Sequence, residues 1–370
     1  MRILVTGGAG FIGSHLVDRL VQGGHTVRVL DNFDPQVHGR QRPAYLNPSA
    51  EYLEGDVRDR QVLRRSLKDV EVVVHLAAAV GVGQSMYQIE NYVSANVMGT
   101  ATLLDLLVNE RITLKRLIVA SSMSIYGEGR YRCGRCGPVS PSIRPTEQLM
   151  QRQWEARCPS CGAQTTPEPT PEDKPLIPTS VYAVSKRDQE ELCLTVGRSY
   201  HIPSVALRFF NVYGPRQALS NPYTGVCAIF SSRVKNRKPP VLFEDGLQSR
   251  DFINVRDIVN AIELVMTHPK ALYEAFNVGT GRATSILEIA KTLSTLYGLK
   301  IEPDVTQRYR AGDIRHCSAD ISRLRALGFA PSVSLEDGLR ELVAWAQQEH
   351  AEDRVEEAAN ELKVRGLTSG

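Results

Sequence analysis

The sequence lacks the features that would place it in a membrane, a secretory pathway or a nucleic-acid complex. No apolar run approaches the roughly 20 residues of a membrane-spanning helix, and no signal peptide is expected because the chain starts directly with the strand-like run Ile3-Leu4-Val5. Aromatic residues make up only 6%, and 44 basic residues nearly balance 41 acidic ones. A net charge of +3 provides no broad attraction for nucleic acid or acidic lipid. We therefore expect a cytoplasmic protein without such partners.

Cysteine is scarce, and its seven copies do not resemble a disulfide framework. Four of them form two C-x-x-C pairs, which in a reducing compartment favour a metal over disulfides: Cys133, Cys136, Cys158 and Cys161. The other three are isolated and are expected to be buried as small apolar side chains: Cys193, Cys227 and Cys317.

What is present is an ordinary globular composition, with 42% hydrophobic and 23% charged residues over 370 positions. In the first half, short β-branched runs alternate with amphipathic stretches. The predicted strands are Arg2–Thr6, Thr26–Leu30, Val70–Leu76, Arg116–Ser121 and Pro203–Arg208. The predicted helices include Phe11–Gln22, Asn91–Asn109 and Val181–Tyr200. This alternation predicts an α/β fold with a doubly wound parallel sheet of the Rossmann type.

The domain organisation follows from where this rhythm changes. We expect a cofactor domain over 1–208 and a smaller α/β substrate domain over 209–348, with about 250–275 returning to the first domain. Residues 349–370 form a charged tail whose structure the sequence leaves open. Residues 128–178 interrupt the first domain. The stretch from Gly127 to Pro178 holds nine of the twenty prolines and all four paired cysteines without helical or strand periodicity, so it predicts an irregular insertion that needs an internal staple.

A glycine-rich loop joins the first strand to the first helix. Gly7-Gly8-Ala9-Gly10-Phe11-Ile12-Gly13 fits both G-x-x-G-x-x-G and G-x-G-x-x-G. The glycines permit a tight turn and a close approach of the backbone to a pyrophosphate, which the helix N-terminus attracts. The sequence therefore predicts a dinucleotide site.

The second strand ends in Asp31, eighteen residues after Gly13. A carboxylate here accepts hydrogen bonds from the adenine-ribose hydroxyls and repels a 2′-phosphate, which selects NAD over NADP. Nearby arginines keep NADP open as the alternative: Arg28, Arg40 and Arg42. Asp56, after the third strand, is a candidate for the adenine edge or a simple turn residue.

Tyr182 and Lys186 stand four residues apart at the start of a predicted helix, so they share one face. A nearby ammonium and a cationic nicotinamide both favour the phenolate over the phenol, which makes Tyr182 a candidate base. The pair alone is common by chance. Its position after a dinucleotide loop, with Ser121-Ser122-Met123-Ser124 ending a strand, indicates catalysis.

Together these motifs resemble the extended short-chain dehydrogenase/reductases, specifically the nucleotide-sugar 4-epimerases of the UDP-glucose 4-epimerase type, with the subgroup acting on dTDP-L-rhamnose as the nearest likeness. The resemblance covers roughly 1–345. It extends through further motifs: Gly55-Asp56-Val57, His75-Leu76-Ala77-Ala78, Asn96 to Thr100, Arg208 to Pro215, Arg250 to Ile253, Asn277 to Thr280 and Arg310 to Asp313.

The resemblance implies a tightly bound NAD, a nucleotide-diphosphate sugar as substrate, and Ser122, Tyr182 and Lys186 as catalytic residues. It implies cofactor contacts from Gly7, Gly10, Phe11, Ile12, Gly13, Asp31, Asn32, Asp56, Val57, Leu76, Ala77, Ala78, Asn96, Ala120, Tyr182, Lys186 and Phe209. It implies substrate contacts from Ser122, Ser124, Tyr182, Asn211, Arg250, Arg310 and Asp313. It also implies a homodimer, formed by the helices around 91–109 and 181–198.

Two residues in the serine motif separate the reactions within this family. Dehydratases carry Asp-Glu directly after the catalytic serine or threonine and decarboxylating relatives keep a Glu, whereas this chain has Met123-Ser124. Plain oxidation and reduction at one sugar carbon is therefore the expected chemistry. UDP-glucose/galactose or a uronic acid remains an alternative substrate. A reductase or dehydrogenase with exchangeable cofactor and a non-catalytic NAD-binding regulator are the alternative functions.

The paired cysteines predict a closed tetrahedral Cys₄ site, in which a metal is structural. Twenty-one residues separate the two pairs. Zinc is the expected ion, iron is the competing soft-ligand metal, and unbound thiols are the alternative to both.

Overall fold

The computed structural model of the chain describes residues 1–39, 42–310 and 312–368. Arg40, one of the three arginines that keep NADP open as the alternative cofactor, lies outside these ranges. The strands are β1 Arg2–Thr6, β2 Thr26–Asp31, β3 Glu51–Glu54, β4 Val72–His75, β5 Arg116–Ser122, β6 Arg130–Cys133, β7 Gly137–Val139, β8 Thr165–Glu168, β9 Ser204–Phe209, β10 Asn211–Tyr213, β11 Val241–Leu242, β12 Ser249–Arg250, β13 Phe252–Asn254, β14 Glu274–Val278, β15 Thr284–Ser285, β16 Asp304–Val305 and β17 His316–Cys317.

The α-helices are α1 Phe11–Gln22, α2 Pro35–His38, α3 Arg60–Ser66, α4 Val82–Ser85, α5 Ile89–Tyr92, α6 Gly99–Asn109, α7 Thr146–Met150, α8 Val181–Ser199, α9 Val226–Lys235, α10 Val255–Thr267, α11 Ile286–Leu296, α12 Ser322–Arg325, α13 Leu335–Gln348 and α14 Val355–Val364. Met123–Tyr126 and Pro269–Ala271 are 3₁₀ turns, and Val93–Met98 is a π-helical segment. Among the described residues, no helix is both long and apolar enough to cross a bilayer.

A parallel sheet of seven strands forms the centre of the part of the chain described, in the order β14-β9-β5-β4-β1-β2-β3. Its central strands are buried on both faces, as their continuous apolar runs predict. In β1, Ile3 and Val5 face the layer formed with α1 and α10, whereas Leu4 faces the layer formed with α6 and α8. The Rossmann-type α/β prediction is confirmed.

The strand order reverses between β1 and β4, which opens a crevice at the carboxyl ends of the strands. The loops after β1, β2, β4, β5 and β9 all reach this edge, and they carry the residues that the sequence analysis selected. α10 packs against α1, and β14 joins the sheet beside β9. The exact division into two domains stays a prediction.

Two predicted elements differ in detail from the structure. The single helix expected over 91–109 is α5, a π-helical segment and α6, and the widened turn contains Asn96. The insertion is not irregular: β6 pairs antiparallel with β7 and β8, and α7 follows. Its strands are three or four residues long and rich in Arg, Thr and Pro, so they show no apolar alternation.

The charged tail forms the helix α14 and lies against loops at the carboxyl edge of the sheet. The Arg365 guanidinium stacks 4.2 Å from the centre of the Tyr87 ring, and Leu362 packs on Gly83. Thr368 pairs with Arg310 through an isolated antiparallel bridge.

Candidate active site

The glycine loop takes a shape that only glycine allows. Gly7 has φ +68°, and a Cβ on Gly13 would lie 2.3 Å from the Gly7 carbonyl oxygen. Gly10 precedes α1, and within the described structure no side chain caps this helix and no acidic residue lies in its first turn. The N-terminus of α1 can therefore accept a pyrophosphate.

Asp31 is buried at the end of β2, next to this loop. Its carboxylate accepts hydrogen bonds from the Ala9 N–H at 3.0 Å and the Phe33 N–H at 2.9 Å. The two described arginines that favoured NADP bind other carboxylates: Arg28 donates to Glu51 at 2.8 Å and Arg42 to Glu54 at 2.8 Å. The arrangement fits the ribose of NAD.

Asp56 lies beside Asn32 at the neighbouring strand end. Arg58 donates to both oxygens of the Asp56 carboxylate, and this hydrogen bonding lowers the pKa of Asp56 despite partial burial. The Asn32 amide donates to the same carboxylate at 3.4 Å. Val57 is buried beneath Gly99, where a Cβ would approach its Cγ2 to 2.6 Å.

The remaining predicted cofactor residues lie around the crevice. Leu76, Ala77 and Ala78 follow β4, and a Cβ on Gly7 would lie 2.8 Å from the Ala77 nitrogen. Ala120 is in β5 and Phe209 ends β9. The Asn96 amide binds the Ala79 backbone and the Ser185 hydroxyl, so it joins the loop after β4 to α8.

The predicted catalytic triad meets where β5 ends against the first turn of α8. Ser180 caps α8 through the Ala183 N–H at 3.1 Å, which sets where the helix begins. Burial raises the pKa of Tyr182, and a hydrogen bond with Ser122 opposes that increase. Burial lowers the pKa of Lys186 to about 8. The Ser124 hydroxyl donates to the Ser122 hydroxyl at 2.9 Å.

Sequence reasoning missed the buried residue that holds the lysine. Lys186 Nζ donates to Gln189 Oε1 at 2.8 Å, and Gln189 Nε2 donates to Thr100 Oγ1 at 2.8 Å. Thr100 also contacts His75, whose pKa burial lowers to about 3, so that this imidazole is neutral. The available signal was spacing, because Gln189 is three residues after Lys186 and seven after Tyr182 on the same helix face.

The other predicted substrate residues lie on β10, on β12 and in the segment that precedes β17. Asn211 begins β10, and its amide oxygen is buried without a hydrogen-bond partner among the described residues. Arg250 donates to the carbonyl oxygens of Ile314 at 2.7 Å and Arg315 at 3.0 Å. We call these residues, with Arg310 and Asp313, the substrate wall. The Thr179 hydroxyl, three residues before Tyr182, donates to the Gly312 carbonyl at 3.1 Å and so connects this wall to the start of α8.

Arg310 and Asp313 form an ion pair on this wall at 2.9 Å. Burial alone would raise the pKa of Asp313, but Arg310 and then Arg250 outweigh it, so the pKa lies below its usual value. The Arg310 guanidinium stacks 4.4 Å from the centre of the Phe243 ring. An anionic ligand that binds Arg310 would compete with Asp313 for this cation.

The four paired cysteines come together at the end of the inserted sheet. The sulfur atoms of Cys133, Cys136, Cys158 and Cys161 all lie within 4.8 Å of one another. The backbone N–H groups of Arg135 and Cys136 lower the pKa of the Cys133 thiol to about 6. The donor set fits one tetrahedral soft-metal ion. As predicted, the three isolated cysteines are buried.

Comparison with known protein families covers most of the chain. The NAD dependent epimerase/dehydratase family matches residues 3–147 and 158–279, and the unmatched residues between them lie in the cysteine insertion. The chain belongs to this family. Within it, the chain groups with the extended short-chain dehydrogenase/reductases that are nucleotide-sugar 4-epimerases, as the sequence motifs predicted.

Individual relatives match along nearly the whole length. The dTDP-L-rhamnose 4-epimerase of Burkholderia thailandensis is 37% identical over 356 residues, covering 94% of this chain and 95% of its own. The UDP-glucose 4-epimerase of Thermotoga maritima, solved with UDP-glucose, has a TM-score of 0.76 at 32% identity and covers 93% of this chain and 98% of its own. The UDP-glucuronic acid 4-epimerase of Bacillus cereus, solved with UDP-glucuronic acid and NAD, has a TM-score of 0.77 at 30% identity and covers 94% and 99%.

Proposed function

We propose that this NAD-dependent family member inverts C4 of a nucleotide-diphosphate sugar through a 4-keto intermediate. The observation that carries the proposal is the hydrogen bond between the Ser122 and Tyr182 side chains at the carboxyl end of β5, one helical turn from the buried Lys186. The two positions after Ser122 hold no carboxylate for elimination or decarboxylation. This set supports removal and return of one hydrogen.

The residues divide the work as follows. NAD, when bound, supplies the hydride acceptor and donor. Tyr182 removes the proton from the sugar 4-hydroxyl and later returns it, while Ser122 holds the same oxygen by a hydrogen bond. Lys186 favours the phenolate form of Tyr182 by its positive charge. Arg250 and Arg310 suit a diphosphate because a guanidinium binds phosphate oxygens in pairs.

The substrate that we propose is dTDP-L-rhamnose, with dTDP-6-deoxy-L-talose as product. The support is the 37% identity to the Burkholderia enzyme of that name, together with a resemblance to this subgroup in the insertion with its paired cysteines and in two loops, Val80 to Ser85 and Gln217 to Gly225. In the structure, these loops meet, since a Cβ on Gly81 would lie 3.0 Å from the Tyr223 Cβ. The same Cβ would lie 2.8 Å from the hydroxyl of Tyr92, whose ring centre is 6.4 Å from that of Tyr182.

Incubation with dTDP-, UDP- and GDP-sugars, followed by NMR of the products, tests both levels of the proposal. Conversion of dTDP-L-rhamnose without added NAD is the expected result. If the protein converts only UDP-glucose or UDP-glucuronate, the proposed substrate is wrong, but the proposed C4 epimerisation is retained. A requirement for stoichiometric NAD or NADH would indicate a dehydrogenase or reductase. No change in any sugar, with NAD bound, would overturn the enzyme assignment in favour of a regulator.

We further propose a structural zinc ion in the Cys₄ cluster. The clustering of the four sulfur atoms supports it, since four cysteine ligands form the closed tetrahedral donor set of a structural zinc ion. Elemental analysis of the purified protein should give one zinc per chain. A coloured protein with one iron per chain would assign the competing metal, and a metal-free protein with four titratable thiols would overturn the site.

A homodimer is also proposed, through the face formed by α5, α6 and α8. This face exposes apolar side chains, including Ile89 at 54%, Met98 at 56% and Val184 at 38%. Light scattering should show a dimer that Met98→Arg converts to a monomer. Val364→Arg is the matched control because Val364 is equally apolar and 77% exposed on α14. An unchanged mass for Met98→Arg would contradict this face.

A further inference from the structure

The insertion at 128–178, which carries the four paired cysteines, is hydrogen-bonded near both of its ends to the segment 313–318, which includes Asp313. At one end, the Gly129 N–H donates to the His316 carbonyl at 2.9 Å, so close that a Cβ on Gly129 would lie 2.6 Å from that oxygen. At the other end, the Thr170 N–H donates to the Ser318 carbonyl at 2.8 Å. The insertion is thus joined to the substrate wall as well as to the catalytic strand.

Buried charges join the two parts more tightly than these backbone contacts. Arg315 is 1% exposed, and its guanidinium donates to Glu155 at 2.7 Å, Glu244 at 2.9 Å and Asp245 at 2.7 Å. Its backbone N–H donates to Glu128, at the root of the insertion, at 2.7 Å. Because a buried ion pair gains from fixed geometry, such a cluster favours one arrangement of the segment over others.

Arg144, which also belongs to the insertion, contacts the backbone of Asp313 in the substrate wall. It is 4% exposed, and its guanidinium donates to Glu244 at 2.9 Å and to the Asp313 carbonyl at 3.0 Å. Its other terminal nitrogen donates to the Trp154 carbonyl within the insertion at 2.8 Å. Arg144 therefore connects the insertion, the loop at Glu244 and the backbone of Asp313.

Arg250 holds the same segment from the other side. It binds the carbonyl oxygens of residues 314 and 315, directly after the carbonyl that Arg144 binds. Three successive carbonyl groups are thus fixed by two guanidinium groups. The direction of the Asp313 side chain, and through it that of Arg310, depends on both.

We propose that the insertion braces the nucleotide-binding segment and that Arg144 is a positioning residue for nucleotide affinity. The inference rests on the proposed function, since it takes Arg310 and Asp313 to face a nucleotide diphosphate. Arg144 does not touch the reacting atoms. Its loss affects binding of the nucleotide and leaves hydride and proton transfer intact.

Arg144→Met keeps the side-chain length and removes the charge and the hydrogen bonds. Titration calorimetry with dTDP and with UDP should give at least a tenfold weaker Kd than the unmodified protein. With the sugar substrate, KM should increase by a similar factor, while kcat and the bound NAD change by less than about twofold. Arg144→Lys keeps the positive charge near Glu244 but loses the second terminal nitrogen of the guanidinium, so it cannot make all three hydrogen bonds. This variant should fold and give an intermediate Kd.

Arg116→Met is the matched control. Arg116 is a buried arginine that also donates to backbone carbonyls, those of Met266 at 3.2 Å and His268 at 3.4 Å, but it lies at the amino end of β5, away from the crevice. Its Kd for dTDP and UDP should equal that of the unmodified protein. If Arg116→Met loses as much affinity as Arg144→Met, the weaker Kd of Arg144→Met reflects general destabilisation of the protein, and the proposal is overturned.

The outcomes separate this inference from the proposed function. If the unmodified protein binds a nucleotide and both Arg144 variants bind it equally well, Arg144 does not position the nucleotide-binding segment. The proposed function is then unaffected. If the unmodified protein binds neither dTDP nor UDP, the proposed substrate class fails and the brace fails with it. If only Arg144→Met fails to fold, the Kd of Arg144→Lys decides.

Discussion

Gln189 offers a direct test of how the site controls the charge of its lysine. Gln189 is 1% exposed, and its Oε1 accepts a hydrogen bond from the Lys186 ammonium at 2.8 Å. Burial already lowers the pKa of Lys186 to about 8. Gln189→Leu removes the acceptor without removing bulk, so the ammonium is left in the same buried position with less stabilisation.

The size of the effect follows from that hydrogen bond. A hydrogen bond to a charged group contributes about 1.5–3 kcal/mol, which corresponds to a roughly 10- to 100-fold change in the protonation equilibrium. Removing it lowers the pKa of Lys186. Lys186 is charged below its pKa, so the variant loses the charge at a lower pH. The alkaline limb of its pH–rate profile should therefore lie at lower pH than that of the unmodified enzyme.

The assay is kcat/KM for the preferred nucleotide sugar between about pH 5 and 9, with bound NAD measured in parallel. Gln189→Glu is the matched control, because a carboxylate beside the ammonium raises the pKa of Lys186 and should move the alkaline limb to higher pH. If both variants keep the alkaline limb of the unmodified enzyme while retaining NAD, Lys186 does not act through its charge, and the reasoning is refuted.

Three further substitutions test other parts of the site. Tyr182→Phe should lower turnover by about 10²- to 10⁴-fold because the proton acceptor is removed, while NAD absorbance of the purified protein stays the same; normal turnover would exclude Tyr182 as the base. Gly13→Ala places a Cβ 2.3 Å from the Gly7 oxygen, so the protein should lose NAD and melt at a lower temperature; full NAD content would contradict the tight turn. Cys133→Ser should release the metal and lower thermal stability more than kcat, and full metal retention by elemental analysis would remove the proposed site.

The sheet and the cofactor loop could be predicted because their signals are local. Arg2–Thr6 and Phe11–Gln22 have the predicted bounds in the structure, since a buried parallel strand and an amphipathic helix each depend on a pattern within a few residues. The π-helical segment at Val93–Met98 could not be predicted in this way. The packing of Asn96 between the Ala79 loop and Ser185 accompanies this widened turn, and that contact spans 89 positions in sequence.

In the candidate site too, residues marked by a local sequence pattern could be predicted, whereas a residue defined by tertiary contacts could not. Ser122, Tyr182 and Lys186 are recognisable because two of them share one helix face and the third ends a strand. Gln189 shares that face as well, but glutamine has no chemistry that distinguishes it from an ordinary helix residue until Thr100 and Lys186 are seen on either side of it. Residues that hold a catalytic group are therefore harder to predict than the group itself.

The insertion shows why tertiary charge pairing escapes sequence reading altogether. Arginines are interspersed with a few acids along residues 128–157, a pattern typical of a solvated surface. Nevertheless, Arg144 is buried against a glutamate 100 positions away, and Arg315 is buried against one 160 positions away. Burying these charges costs free energy that only their mutual fit offsets. The insertion buries few apolar side chains, among them Tyr131, Leu149 and Trp154, so the four clustered cysteines at one end and this ionic junction at the other also contribute to its structure. Loss of the proposed metal should therefore weaken nucleotide binding in the same direction as loss of Arg144, although the two sites share no residue. The Kd of Cys133→Ser for dTDP measures this, and an unchanged Kd would contradict the link.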